Sequence, residues 1–161
     1  MLPVTRMKAI ALMGTEKALK HTDPVYLHSD LTDIAIGAFY RVYNGLGFGF
    51  LESVYRNALA KELSKSGVAF EREVPVDVWY DGDKIGHFKA DFLVEGRVIL
   101  EVKASVTITE ADRKQLLNYL RGSSVEVGLL LHFGPKPVVQ RILYTNDRKT
   151  MRSSEHTLKR H

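Results

Sequence analysis

From Ser29 onward the apolar positions change period twice, and those changes divide the chain into elements. Leu31, Ile34, Ala35, Ala38, Phe39 and Val42 recur at helical spacing along one stripe, with Ser29 or Asp30 as a candidate cap. The glycines of "NGLGFGF" (Gly45, Gly47 and Gly49) end that helix and permit a tight reversal. A second helix follows, with Leu51, Val54, Tyr55, Ala58, Leu59 and Leu63 expected inward and Ser66-Gly67 closing it. The period then shortens to two. Val74, Val76, Val78 and Tyr80 alternate as far as Asp81-Gly82, a hairpin signal. A second strand is expected from Ile85 to Val94, a turn at Glu95-Gly96, and a third strand from Arg97 to Ala104. "TITEADRKQLLNYLRG" reads as a helix capped near Thr109 and ended by Gly122. "VEVGLLLHF" reads as a buried strand, and "VVQRILY", behind Pro135 and Pro137, as an edge strand. The order α-α-β-β-β-α-β-β predicts an α/β domain with a mixed sheet over residues 29–145. Residues 1–28 show poor periodicity and are expected to be a loosely ordered extension, and 146–161 a basic, flexible tail.

Composition narrows this picture. A chain of 161 residues, 45% of them hydrophobic, suits one domain with a single core. No apolar run approaches bilayer length, and Ala9–Met13 is shorter than the apolar region of a signal peptide, so a cytoplasmic location with no membrane partner is expected. The absence of cysteine excludes disulfides, zinc–thiolate sites and thiol catalysis. A net charge of +4 invites nucleic acid as a partner, but the excess is terminal. Residues 29–140 hold 13 basic and 15 acidic side chains.

Chemistry concentrates in "ADFLVEGRVILEVKA", Ala90 to Ala104. Side chains alternate across a strand, so Ile99, Glu101 and Lys103 share one face. On the preceding strand His87, Lys89 and Asp91 are expected on one face, and Phe88, Ala90 and Phe92 on the other. A short turn at Glu95-Gly96 then lets Asp91 approach Glu101 across the hairpin. Two facing carboxylates beside a lysine repel and desolvate badly unless a cation lies between them, and a hard divalent ion such as magnesium suits oxygen ligands. Taken singly, each residue has a plainer role. An E-x-K on a strand is commonly a solvated salt bridge, Gln115 with Tyr119 at i, i+4 a solvated helix face, and Glu52 an acid favouring a helix N-terminus. The joint order Glu…Asp…Glu-x-Lys…Gln-x-x-x-Tyr on α, β, β and α is far more specific.

That order resembles the PD-(D/E)XK nuclease superfamily, whose restriction-endonuclease-like core carries an Asp and an E-x-K on adjacent strands of a mixed sheet. More narrowly, "GFLESVY" (Gly49, Glu52, Tyr55) resembles the motif that names the GxxExxY proteins, a likeness spanning about residues 29–145. The chain departs from that pattern at Tyr43, where relatives often carry histidine, and in its long N-terminal extension. The resemblance implies a nuclease using Mg2+, with Mn2+ as a substitute. It makes Asp91 and Glu101 metal ligands, with the Val102 carbonyl as a third, and brings Glu52 from its helix to hold the metal, its water or a second ion. Lys103 would stabilise charge on the phosphate, and Gln115 would orient water or phosphate. Tyr119 and Lys89 would contact substrate, DNA ahead of RNA, while Tyr55 would be a core residue. A protein partner or a second copy is a further expectation, because the core carries little positive charge of its own. The alternative is a module on the same fold that binds nucleic acid or protein without cutting. A third reading makes "RKTMRSSEHTLKRH" the functional segment of an adaptor.

Overall fold

The structure, a computed structural model, describes residues 26–149; the expected extension up to residue 25 and the tail from 150 lie outside the described residues. Helix α1 spans Ser29–Leu46 and buries Leu31, Thr32, Ala35, Ala38, Phe39 and Val42, the expected stripe with Ile34 only half-buried. Neither Ser29 nor Asp30 caps it. The N-cap is His28, left-handed at φ 58°, with no side-chain cap bond. Gly47 stops the helix at φ 68°, where glycine is favoured, and its N–H donates to the Tyr43 carbonyl at 2.8 Å. Helix α2, Glu52–Lys65, buries Tyr55, Leu59 and Leu63. Leu51, expected inward, is 76% exposed, because it is the extended N-cap residue and lies off the helical stripe.

Three antiparallel strands follow: β1 Phe70–Tyr80, β2 Asp83–Val94 and β3 Val98–Lys103. The turns between them place both central residues at positive φ, Asp81 at 53° and Gly82 at 87°, Glu95 at 50° and Gly96 at 67°. For the first turn, with two residues between paired Tyr80 and Asp83, that is the requirement of a hairpin whose twist matches its strands; the second leaves three residues, Glu95 to Arg97, between paired Val94 and Val98. Helix α3, Glu110–Gly122, opens on a capping box in which Thr109 and Asp112 satisfy each other's backbone N–H. It is the crossover that lets β4, Val127–Phe133, pair parallel with β3, before β5, Pro137–Leu143, returns antiparallel along the edge. The sheet order is β1-β2-β3-β4-β5.

Both faces of the sheet are covered. Helices α1 and α2 lie with Phe92, Val94, Val98, Leu100 and Val102, while α3 packs Leu116, Tyr119 and Leu120 against Ala90, Ile99 and Leu130. The second contact is close. A Cβ on Gly128 would stand 2.7 Å from Leu116 Cδ1, so only glycine lets α3 settle there. Past the expected boundary at 145 the chain is still packed. The Asn146 N–H donates to Glu126 at 2.7 Å, and Lys149 Nζ donates to the Ser123 and Val125 carbonyls at 2.8 Å each.

Candidate active site

Strand alternation fails at one residue, and that residue is Asp91. Ala90 belongs to the α3 side of the sheet and Phe92 to the α1/α2 side, although they are two apart and were expected on one face. The β1–β2 ladder skips from Arg72↔Phe92 to Val74↔Ala90, and the residue left between on β1 is Glu73, left-handed at φ 52°. Pairing between β2 and β3 ends at Phe92↔Leu100, so Asp91 and Glu101 are not a laddered pair as the hairpin geometry suggested. Where the ladder would continue, the Asp91 side chain takes over and its Oδ2 accepts from the Val102 N–H at 2.8 Å. The strands part at Asp91, and its carboxylate fills the opening.

Glu101 sits in the middle strand, only 3% exposed, and its Oε2 has no hydrogen-bond partner. Its other oxygen lies 3.4 Å from Lys103 Nζ. An ionised carboxylate in that position costs free energy unless a cation reaches it. Burial pushes the Glu101 carboxyl up to about 8, with the Asp91 charge adding to the rise and Lys103 opposing it. Burial also raises Asp91, against the pull of the Val102 N–H and of Arg56.

Lys103 is held by a relay of directed hydrogen bonds from α3. Its Nζ donates to Gln115 Oε1 at 2.7 Å, Gln115 Nε2 donates to the Tyr119 hydroxyl at 2.6 Å, and that hydroxyl donates to the Lys89 carbonyl at 2.9 Å. Asp112 lies 3.8 Å from the same ammonium. The i, i+4 spacing of Gln115 and Tyr119 therefore connects β3 to β2 through α3. Tyr119 was expected to meet substrate, but it is 1% exposed and its hydroxyl is committed at both ends, so it is an internal strut. Burial, with the Glu101 charge adding, pushes its hydroxyl up to about 12. The Lys89 side chain is exposed, and its backbone receives the strut. Gln115, expected to orient water or phosphate, spends its carbonyl on Lys103.

Glu52 reaches the site from α2. Tyr55 is fully buried, stacks on Phe133 at 4.2 Å, donates to the Gly47 carbonyl and accepts from the Phe50 N–H at 3.2 Å. It thereby pins the glycine turn from which Glu52 opens the helix. Between Glu52 and Asp91 stands a residue the sequence reading passed over: Arg56 Nη1 lies 3.1 Å from Glu52 and 3.3 Å from Asp91. Its spacing of four from Glu52 was the available signal. On the far side, Ser105 and His132 hold the loop after Lys103: His132 Nε2 is 2.9 Å from the Ser105 carbonyl and 3.0 Å from its hydroxyl.

Among the described residues no group of three or more His, Asp or Glu side chains forms a ready metal cluster. Asp91 and Glu101 are two hard oxygen donors, one with an orphaned buried oxygen, and this set suits magnesium, which keeps several waters and takes few carboxylates. No described helix is long and apolar enough to cross a membrane.

The family model described as PD-(D/E)XK nuclease superfamily matches residues 29–142. No curated protein matches the chain. A solved structure, "Crystal structure of SSO0001", aligns over 84% of this chain and 69% of its own at 23% identity, with a TM-score of 0.49.

Proposed function

The chain belongs to the PD-(D/E)XK nuclease superfamily, and from that premise we propose that it is a Mg2+-dependent nuclease hydrolysing phosphodiester bonds in DNA. The observation that carries this reading is Glu101, a carboxylate buried to 3% exposure with one oxygen unpartnered, beside Asp91 and Lys103. The motif Gly49, Glu52, Tyr55 supports a place among the GxxExxY proteins.

Asp91, Glu101, the Val102 carbonyl and Glu52 are the groups we assign to the ion, with Mn2+ as a substitute. Bound there, a divalent ion acidifies a water and polarises the phosphoryl oxygen. The chain's own residues supply the rest. Lys103 presents an ammonium to the negative charge that builds on the phosphate. Gln115 positions that ammonium, since its amide is itself fixed by Tyr119. Lys89, exposed on β2, is a further cation we assign to the substrate strand.

Cleavage assays on linear and circular, single- and double-stranded DNA and on RNA, with Mg2+, Mn2+ or EDTA, test this. We expect DNA cleavage that EDTA abolishes. Glu101→Ala and Lys103→Met should each lower the rate by at least about a hundredfold, the scale of a lost transition-state contact. Metal-dependent binding without cleavage would favour a non-catalytic module; cleavage surviving both substitutions would place the chemistry elsewhere.

A further inference from the structure

Arg56 stands where the assigned site needs a cation. A single guanidinium nitrogen, Nη1, lies 3.1 Å from Glu52 Oε1 on α2 and 3.3 Å from Asp91 Oδ1 on β2. The two oxygens of Asp91 are differently engaged. Oδ2 accepts from the Val102 N–H inside the sheet, and Oδ1 is the oxygen turned toward Glu52 and contacted by Arg56, so an ion held between the two carboxylates would meet Arg56 there. A guanidinium at that distance and a divalent ion on the same oxygen would lie within a few Å of each other in a part-buried cleft, where like charges repel strongly.

Resting on the metal site proposed above, we infer that Arg56 is the resident counter-cation of the site. It neutralises Glu52 and Asp91 while no ion is bound, and it gives up Asp91 when a divalent ion arrives. The side chain has somewhere to go. A cavity of about 360 Å3 adjoins it, lined by Ser53, Arg56, Asn57, Arg72, Glu73 and Asp91. Arg72, anchored to Asn57 Oδ1 at 2.7 Å, stands on its wall. A displaced Arg56 joins that second guanidinium, and the pair suits a backbone phosphate of the bound strand. Ion loading and substrate contact are then coupled through one residue. Arg56 is a positioning residue and takes no part in bond breaking.

Calorimetric titration of Mn2+ into the full chain, for wild type, Arg56→Met, Arg56→Lys and Asp91→Asn, tests the inference. Arg56→Met keeps the apolar stem and removes the competing charge. Its Mn2+ affinity should rise about fivefold, and Arg56→Lys should stay within about twofold of wild type, on the scale of one partly exposed ion pair. Thermal melting in EDTA should show Arg56→Met below wild type, with the larger gain on adding Mn2+. If Arg56→Met does not fold, Arg56→Gln makes the same comparison. Wild-type binding that Asp91→Asn abolishes and Arg56→Met leaves equal or weaker overturns the role of Arg56 and leaves the metal site standing. Mn2+ binding absent from wild type and Arg56→Met alike overturns both.

Discussion

Glu101 is the residue at which charge and burial conflict most openly. Its ordinary carboxyl value of 4.5 rises to about 8 on folding, so the folded protein favours the neutral acid. The contribution of this group to stability is therefore fully present below about pH 4.5 and is lost as pH rises toward 8. Glu101→Gln removes the titration. In EDTA the variant should have a flatter stability profile across that window and exceed wild type at pH 9, by on the order of a few kcal/mol. Divalent ion should narrow or reverse the gap, because only wild type offers the ionised oxygen. Urea denaturation at pH 5, 7 and 9, with and without Mn2+, measures this, and parallel profiles for the two proteins would refute it. Lys103 shows how one side chain is fixed by several others. Because Gln115, Tyr119 and the Lys89 carbonyl form a directed series, losing any one loosens the ammonium without removing it.

At the scale of elements, the site depends on how closely α3 approaches the sheet. Gly128→Ala would put a methyl 2.7 Å from Leu116 Cδ1 in a place where Leu116 is fully buried and cannot step aside. Overpacking of this kind costs about 1–3 kcal/mol. It should also lift Gln115, next to Leu116 in sequence, away from Lys103. The expected result is a lower melting temperature with a larger fall in cleavage rate than in DNA affinity; equal losses in rate and affinity would count against it. The element order was legible because the apolar period switches cleanly from helical to two after Gly67, and because Asp-Gly, Glu-Gly and Thr109 mark their own turns and cap. The break in alternation at Asp91 was not legible. It arises from the left-handed Glu73 and the parting of β2 from β3, and neither leaves a periodic trace. Tyr119 was misplaced for a related reason: Gln115 and Tyr119 share a helix face with buried leucines, and spacing alone does not say which end of that face meets solvent. The Asp91, Glu101 and Lys103 cluster was readable from residue order, whereas Arg56 needed three dimensions, since its second partner is on another element.

For the whole molecule, the distribution of charge decides how a nucleic acid would be held. The span 29–140 carries 13 basic and 15 acidic side chains, so long-range attraction to a polyanion has to come from the ends, and at the proposed site only local contacts from Lys103, Arg56 and Arg72 would add to it. Residues 150–161 include Arg152, Lys159 and Arg160 against Glu155. Removing them should leave the fold intact if the cut follows Lys149, whose ammonium holds the Ser123 and Val125 carbonyls; a cut after Tyr144 removes those bonds and the Asn146 contact, and should lower the melting temperature. The longer form should retain cleavage at low salt, with the slope of log affinity against log salt reduced by about 2 to 3, one for each phosphate no longer neutralised. That outcome separates a nuclease body with an electrostatic tether from an adaptor whose activity resides in the tether. If cleavage vanishes with residues 150–161 while the melting temperature is unchanged, the tail does more than attract, and the carboxylate site cannot be sufficient for the reaction.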